Sequence, residues 1–268
     1  MFKSILATGA MVLALGAFGV DAQARTLDQI ISSGTVRIGV NPNQPPSSSL
    51  GANNQYEGFD IDIGNHIAEA IGVKAEFVPT ESAQRVPFLL ADRIDLSLGA
   101  LTRNLERAKV IDYTVPLHTE ATSVLTTDKL NITSWKELND PKYTIVNQRG
   151  NNSVGFLKDL LPNVKVLLVE TTADVVRALA QGRADALVEN IDFFLGTTKA
   201  YPDVKWKVLP DIIDVAYDGI GVQKGNDSLR LWLNLLLYNM HSSNYVNDTW
   251  TKWYGAPPVV KIVANPYF

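Results

Sequence analysis

Two stretches far apart in the chain follow one plan: LLADRIDLSLG (89–99) and LAQGRADALVE (179–189). Each reads as a helix end, a turn, an Arg, one residue, an Asp and then an apolar strand. Either two helix-to-strand connections resemble each other by chance, or the chain builds two lobes of like architecture. The surroundings constrain the choice. VRIGV (36–40) reads as a strand, and residues 60–72 as a helix with Ile63, Ile67 and Ile71 on one face and Gly72 as its stop. AEFV (75–78), a helix over 83–91 and IDLSLG (94–99) complete a βαβαβ unit. YTIV (143–146), a helix over 152–161, VKVLLV (164–169), a helix over 172–181 and DALV (185–188) repeat it. Short Val, Ile and Leu runs alternating with helical periods predict an α/β fold with mainly parallel sheets flanked by helices. The chain then gives YDGIGVQKGN (217–226) as strand and turn, and amphipathic helices over 227–241 and 244–254. If these return to the first lobe, strands near 120–126 and 213–222 cross between lobes as a two-strand hinge. A ligand would then sit in the crevice outside the carboxyl ends of both sets of strands.

The amino terminus belongs to another problem. Lys3 precedes an apolar run of small residues, ILATGAMVLALGAFGV (5–20), and Ala22-Gln23-Ala24 offers a small-x-small cleavage site. A signal peptide over 1–24 and release into the periplasm are expected. The apolar run is shorter than the ~20 residues a membrane span needs. The chain has no cysteine, so it cannot be a lipoprotein anchored at its cleavage site, and disulfides, thiolate metal sites and cysteine nucleophiles are excluded with it. A net charge of −4 with scattered basic residues argues against a nucleic-acid partner. His66, His118 and His241 stand in no H-x-x-x-H or H-E-x-x-H spacing, so neither a metal site nor a cofactor is expected. No G-x-S-x-G elbow or phosphate-binding Gly-rich loop occurs either, and no catalytic residue is assigned.

The most informative stretch is GALTRNLERAKVIDYTVPL (99–117). It follows a strand, so Gly99 to Thr102 should lie at that strand's carboxyl end. Asn104 reads as the N-cap of a short helix holding Glu106 and Arg107. An Arg in a first turn opposes the helix dipole. One reason to tolerate it is function: a guanidinium beside free N–H groups can clamp a carboxylate. The other reading is an Arg107 paired with a surface acid.

In order and spacing, VRIGV, GFDIDIGNHIAEAIG (58–72), RVPFLLADRIDL (85–96), TRNLERAKVIDYTVP (102–116), GRADAL (182–187), GIGVQKG (219–225) and WTKWYG (250–255) resemble the bacterial extracellular solute-binding proteins of family 3. These are the periplasmic polar amino-acid receptors of ABC transporters. The resemblance implies a two-lobed periplasmic binding protein fold of type II, with lobe 1 at 25–120 plus 217–268 and lobe 2 at 121–216. It implies an inner-membrane ABC permease as partner, a small acid or amino acid as ligand, and a monomer. Carried over by residue, Arg107 anchors the ligand α-carboxylate, helped by Thr102 and the backbone at Ala100. Gly150, Asn151 and Asn152 of the loop NQRGNN (147–152) touch the same carboxylate. Arg85, with Ser82 assisting, matches a second arginine that meets a side-chain carboxylate in some acidic amino-acid receptors; the other reading is a surface helix residue.

Departures from the pattern matter as much. Where the family places an aspartate for the ligand ammonium, this chain has Asn190, preceded by Glu189. A neutral amide brings no charge to offset a buried ammonium. Either Glu189, Asp192 or Asp218 supplies it, or the ligand has no amine. Gln44, Ser47 and Ser82 stand where relatives often place aromatic walls, and Asn41 where a charge is common. The pocket should therefore be polar and roomy. Two other classes remain: a dehydratase acting on cyclohexadienyl acids in the same fold, with an acid such as Glu189 in the cleft, and a sensory module acting through a partner.

Overall fold

The computed structural model describes residues 24–266. The expected signal peptide lies outside them apart from Ala24. In chain order the elements are α1 (Leu27–Ser33), β1 (Thr35–Val40), β2 (Asn43–Gln44), β3 (Ser48–Leu50), β4 (Tyr56–Glu57), α2 (Phe59–Ile71), β5 (Lys74–Pro79), α3 (Arg85–Leu90), β6 (Leu96–Ser97), α4 (Leu105–Ala108) and β7 (Ile111–Thr127). They continue with β8 (Thr144–Gln148), α5 (Ser153–Leu160), β9 (Lys165–Val169), α6 (Thr172–Ala180), β10 (Ala186–Asn190), α7 (Ile191–Thr197), β11 (Trp206–Val208), β12 (Asp214–Gln223), α8 (Asp227–Ser242) and α9 (Tyr245–Tyr254). The two expected βαβαβ units are present. The short pieces α1, β2 to β4, α7 and β11 carry too few periods to be read from sequence.

The strands run in the order β5-β1-β6-β12-β7-β10-β8-β9, with β11 on β7. β1 pairs in parallel with β5 and β6, and β8 pairs in parallel with β9 and β10. Each lobe thus places its first strand between its second and third. The two parallel sets meet through the antiparallel pair β7 and β12, where Asp214 to Gln223 align with Thr122 to Ile111. Beyond Thr122, β7 runs on between β10 on one edge, with Asn190 opposite Thr122, and β11 on the other. The expected crossing strands exist, and β7 is longer than its crossing segment alone.

Each lobe has its own core. In the first, Phe59, Ile63 and Ile67 of α2 pack with Val36 and Ile38 of β1, Leu229 and Leu233 of α8, and Trp250 of α9. In the second, Val146, Val175, Leu179 and Leu187 form one cluster, and Val124, Ile145, Leu157 and Val188 another. The spacing of four residues from Phe59 to Ile63 to Ile67 keeps one face of α2 inward, and Gly72 ends the helix in a left-handed conformation.

The repeated plan has a repeated physical basis. After α3 and after α6 a left-handed residue, Asp92 or Gly182, turns the chain. Arg93 N–H then returns to the Phe88 carbonyl at 2.9 Å, and Arg183 N–H to the Ala178 carbonyl at 2.9 Å. Next, Asp95 Oδ2 accepts from Arg37 N–H at 2.7 Å, and Asp185 Oδ2 from Thr144 N–H at 2.8 Å. In each lobe the aspartate ties the entrance of the third strand to the start of the first. Asp95 does more: it also pairs with the guanidinium groups of Arg37, at 2.7 Å, and Arg25. Those donors hold its carboxyl below the usual range despite burial.

Asp95→Ala should therefore lower unfolding free energy by about 2–3 kcal/mol at neutral pH, discounted because both arginines are partly exposed. A depressed carboxyl contributes stability that is present above the unfolded pKa of roughly 4 and is lost as pH falls through the folded value. Denaturant titrations at pH 7 and pH 3 should show the gap between wild type and D95A closing in acid. An equal gap at both pH values would refute the role given to Asp95.

Candidate functional site

The cleft is framed by carboxyl ends of strands from both lobes. From the first lobe, the segment after β6 enters it with Gly99 and Ala100 in succession at positive φ, 79° and 53°. Left-handed backbone at a non-glycine costs roughly 1 kcal/mol or more and persists where neighbours over-determine it. Arg85, at the start of α3 and only 5% exposed, does this: its NH1 group donates to the Gly99 carbonyl at 2.6 Å and the Ala100 carbonyl at 2.8 Å. Its NH2 group donates to Ser82 Oγ at 2.5 Å, while Nε has no partner. Burial and the neighbouring Arg107 lower the Arg85 pKa to about 10, so it stays cationic.

Beyond the turn, Thr102 bridges to Asp218 of β12, with Gly219 N–H on the Leu101 carbonyl at 3.2 Å and Arg103 N–H on the Tyr217 carbonyl at 3.1 Å. Asn104 then caps α4 as its sequence predicts, its Oδ1 accepting from Arg107 N–H at 2.9 Å. The Arg107 guanidinium turns back to the Thr102 carbonyl at 3.0 Å and across to the Gly150 carbonyl of the second lobe at 2.7 Å. It is not spent on a surface acid.

Further bonds cross the cleft. Ser82 Oγ donates to Gln148 Oε1 at 3.0 Å, Gln148 Nε2 to Glu81 at 2.7 Å, and Asn104 Nδ2 to Asn152 Oδ1 at 2.8 Å. Asn41 Nδ2 donates to Thr172 Oγ1 at 3.2 Å. Closest of all is Gly150, at φ 81°, where an added Cβ would lie 2.8 Å from Ala83 Cα. The remaining cavity is about 20 Å³, little more than one water needs, so it is polar as expected but not roomy, because these cross-cleft bonds draw the lobes together.

Of the residues singled out from the sequence, Gln44, Ser82, Arg85, Ala100, Thr102, Arg107, Asn151, Asn152, Glu189 and Asn190 line this cavity. Asn41 and Gly150 do not: their place is in the contacts between lobes just described. Ser47, an expected wall position, instead donates to buried Asp60 at 2.6 Å. The sequence reading missed Thr122, Gln148, Ser153, Thr172 and Phe193, which also line it. Gln148 and Thr172 sit at the carboxyl ends of β8 and β9, so the strand-end rule applied to the second lobe would have found them.

The far wall is acidic. Glu189 is 7% exposed, accepts from Asn190 N–H at 2.9 Å and from the Asn151 amide, and is pushed up to about 7 by burial. The Asn190 amide sits between two partners: its Oδ1 accepts from Thr122 Oγ1 at 3.0 Å and its Nδ2 donates to Glu120. An aspartate at 190 would set a second carboxylate against Glu120. The acids nearest position 190 are thus neighbours, Glu189 on the same strand and Glu120 on β7. Asp192 and Asp218 are buried nearby without lining the cavity.

This chain matches the model of the bacterial extracellular solute-binding proteins, family 3, over residues 36–256. It belongs to that family. Among this family 3 protein's curated relatives are the glutamine-binding protein of Geobacillus stearothermophilus, 30% identical over 76% of this chain and 78% of the relative, and the cyclohexadienyl dehydratase of Pseudomonas aeruginosa, 23% identical over 70% of each. Solved structures of the same type II fold include an ancestral amino-acid-binding protein, a precursor of cyclohexadienyl dehydratase, at 31% identity and TM-score 0.78 over 85% of this chain and 99% of that one. The solute receptor for L-cysteine of Neisseria gonorrhoeae superposes at TM-score 0.80 with 28% identity, over 85% and 93%. A solute-binding role, extracytoplasmic as in the family, follows for this member. No described helix is long and apolar enough to cross a membrane.

A raised carboxyl binds its proton more tightly in the folded state, so between the unfolded value near 4.5 and about 7 folding stability falls as pH rises. Glu189→Gln should flatten that slope and raise stability at pH 8 by about 1–3 kcal/mol. Thermal midpoints compared at pH 5 and pH 8 will show it; an unchanged slope in E189Q would mean that Glu189 is not the buried acid responsible.

Proposed function

We propose that this protein is the periplasmic substrate-binding component of an ABC importer, released by cleavage of residues 1–24. In this reading a small zwitterionic amino acid with a polar or acidic side chain is captured between lobe 1 (25–120 plus 217–268) and lobe 2 (121–216). The observation that carries it is the pair of opposite charges lining one cavity, Arg107 with Thr102 on one side and Glu189 beside Asn190 on the other. These suit the two charges of an amino acid. Arg85 adds a second cation whose Nε is unengaged, which suits an anionic or hydrogen-bonding side chain. No aromatic wall from the first lobe stands opposite to stack a large apolar one.

Docking begins on the first lobe at Arg107, Thr102, Ala100, Ser82 and Arg85. Closure then brings Asn151, Asn152 and Asn190 over the ligand, supported by the cross-cleft bonds of Asn41, Gln148 and Gly150. A monomer in this closed form is what the permease recognises. Micromolar affinity requires only about −8 kcal/mol, of which one buried bidentate arginine pair supplies a large share.

A second reading has its own support. Glu189, buried and titrating at about 7, has the properties of a general acid at neutral pH, and a dehydratase stands among the relatives. Absorbance during incubation with cyclohexadienyl acids separates the readings: aromatic product formed by wild type and lost in E189Q would favour the enzyme.

Calorimetry on Arg107→Ala should show loss of amino-acid binding with the fold intact; retained affinity would remove Arg107 from the anchor role. In a thermal-shift screen, polar and acidic amino acids should stabilise the protein and their deaminated analogues should not. Equal stabilisation by both sets would take the amine contact away from Glu189. Gly150→Ala should weaken binding roughly tenfold or more, because its Cβ opposes closure. Unchanged affinity in G150A would show that the lobes need not approach this closely.

A further inference from the structure

We infer that the hinge holds a divalent transition-metal site, formed by His118, Glu120 and Asp218. His118 and Glu120 are two apart on β7 and so share one face of the strand, and Asp218 of β12 is the direct partner of His118 across the antiparallel pair. Ligand atoms of the three lie within 4.8 Å of one another, with His118 Nδ1 3.8 Å from Asp218 Oδ2. Donors around a tetrahedral zinc stand roughly 3.4 Å apart, from metal–ligand bonds of about 2.0–2.2 Å. Bringing the widest pair from 4.8 Å to that spacing takes roughly 0.7 Å from each side chain.

A second observation separates this group from an ordinary acidic cluster. His118 is 4% exposed and Asp218 1%, yet His118 Nδ1 has no hydrogen-bond partner, and the Asp218 carboxylate has only the Glu120 carboxyl beside it to bond. Buried polar atoms are almost always paired, and an imidazole nitrogen left open beside two buried carboxylates suggests an occupant that bonds to all three groups. Charge leads the same way. Arg85 is the buried cation facing both acids and Glu189, which leaves negative charge in excess. A doubly charged cation on Glu120 and Asp218 sums to zero. One imidazole nitrogen with two carboxylates favours zinc or manganese over calcium.

The surroundings supply the outer support that metal ligands need. Asn190 donates to Glu120, and the His118 ring is held edge-on by Phe59 and tilted against Trp250. A metal there would tie β7 to β12 where the ladder shifts register between Asp218 and Gly219. The spacing of histidines along the chain gives no hint of this, because two of the three ligands come from strands about a hundred residues apart.

The test uses the mature chain, treated with chelator, dialysed and titrated with Zn²⁺ alone by calorimetry at pH 7.5. One equivalent should bind with release of protons, raise the thermal midpoint, and shift the His118 Nδ1 resonance in ¹⁵N-histidine-labelled protein. H118A, E120Q and D218N should each weaken uptake at least about tenfold. No uptake, uptake indifferent to all three substitutions, or a resonance shift confined to His66 or His241 would overturn the proposal. The wild-type resonance decides the matter even if a variant fails to fold.

Discussion

Everything about this cleft depends on the pairing of β7 with β12. Two parallel βαβαβ units have no edge in common, and neither could hold the other at a fixed distance through loops alone. A long antiparallel pair supplies that distance: β7 serves the first lobe beside β12 on one edge and the second beside β10 on the other, and the two pairings overlap at Thr122. Side chains at this overlap face the cleft, which is why Thr122, Asn190 and Ala216 belong to its lining. Rotation about two strands would keep the ladder during the closure proposed for this cleft.

The same pairing concentrates charge. Glu120 and Asp218 lie on the crossing strands, Glu189 and Asp192 at the end of β10 and the start of α7, and all are buried. Burial raises the carboxyls of Glu120, Glu189 and Asp192, and neighbouring acids add to the rise at Glu120 and Glu189. Arg85 relieves part of this. It also fastens the left-handed turn at Gly99 and Ala100, so one side chain shapes the backbone of the cleft and sets its electrostatics. Removing it would disturb both.

The layout was largely legible because α/β units advertise themselves locally, through strand runs, 3.6-residue periods and Gly stops. The repeat of Arg-x-Asp was visible too, although its cause was not: an aspartate must reach the first strand's backbone, a contact about sixty residues away in one lobe and forty in the other. Arg107 was found because a cation in a first helical turn is against the local electrostatics and so asks for a reason. What escaped was whatever depends on register. Glu120, His118 and Asp218 carry no spacing signal, since their meeting is fixed by strand alignment through a bulge. Asn41 and Gly150 make contacts between the lobes, and sequence cannot separate a residue that touches ligand from one that touches the other lobe.

Asn190 shows how far substitution at one position can be compensated by position alone. Read singly, an amide in place of the expected aspartate removes a charge from the ammonium site. In the fold, that amide bonds Thr122 with its oxygen and Glu120 with its nitrogen, an arrangement a carboxylate could not adopt because it has no N–H to offer Glu120. An aspartate there would also add a buried negative charge to a wall that already carries Glu120, Glu189 and Asp218. Given Glu120, asparagine is the residue that avoids both penalties, so position 190 follows from position 120 on the neighbouring strand.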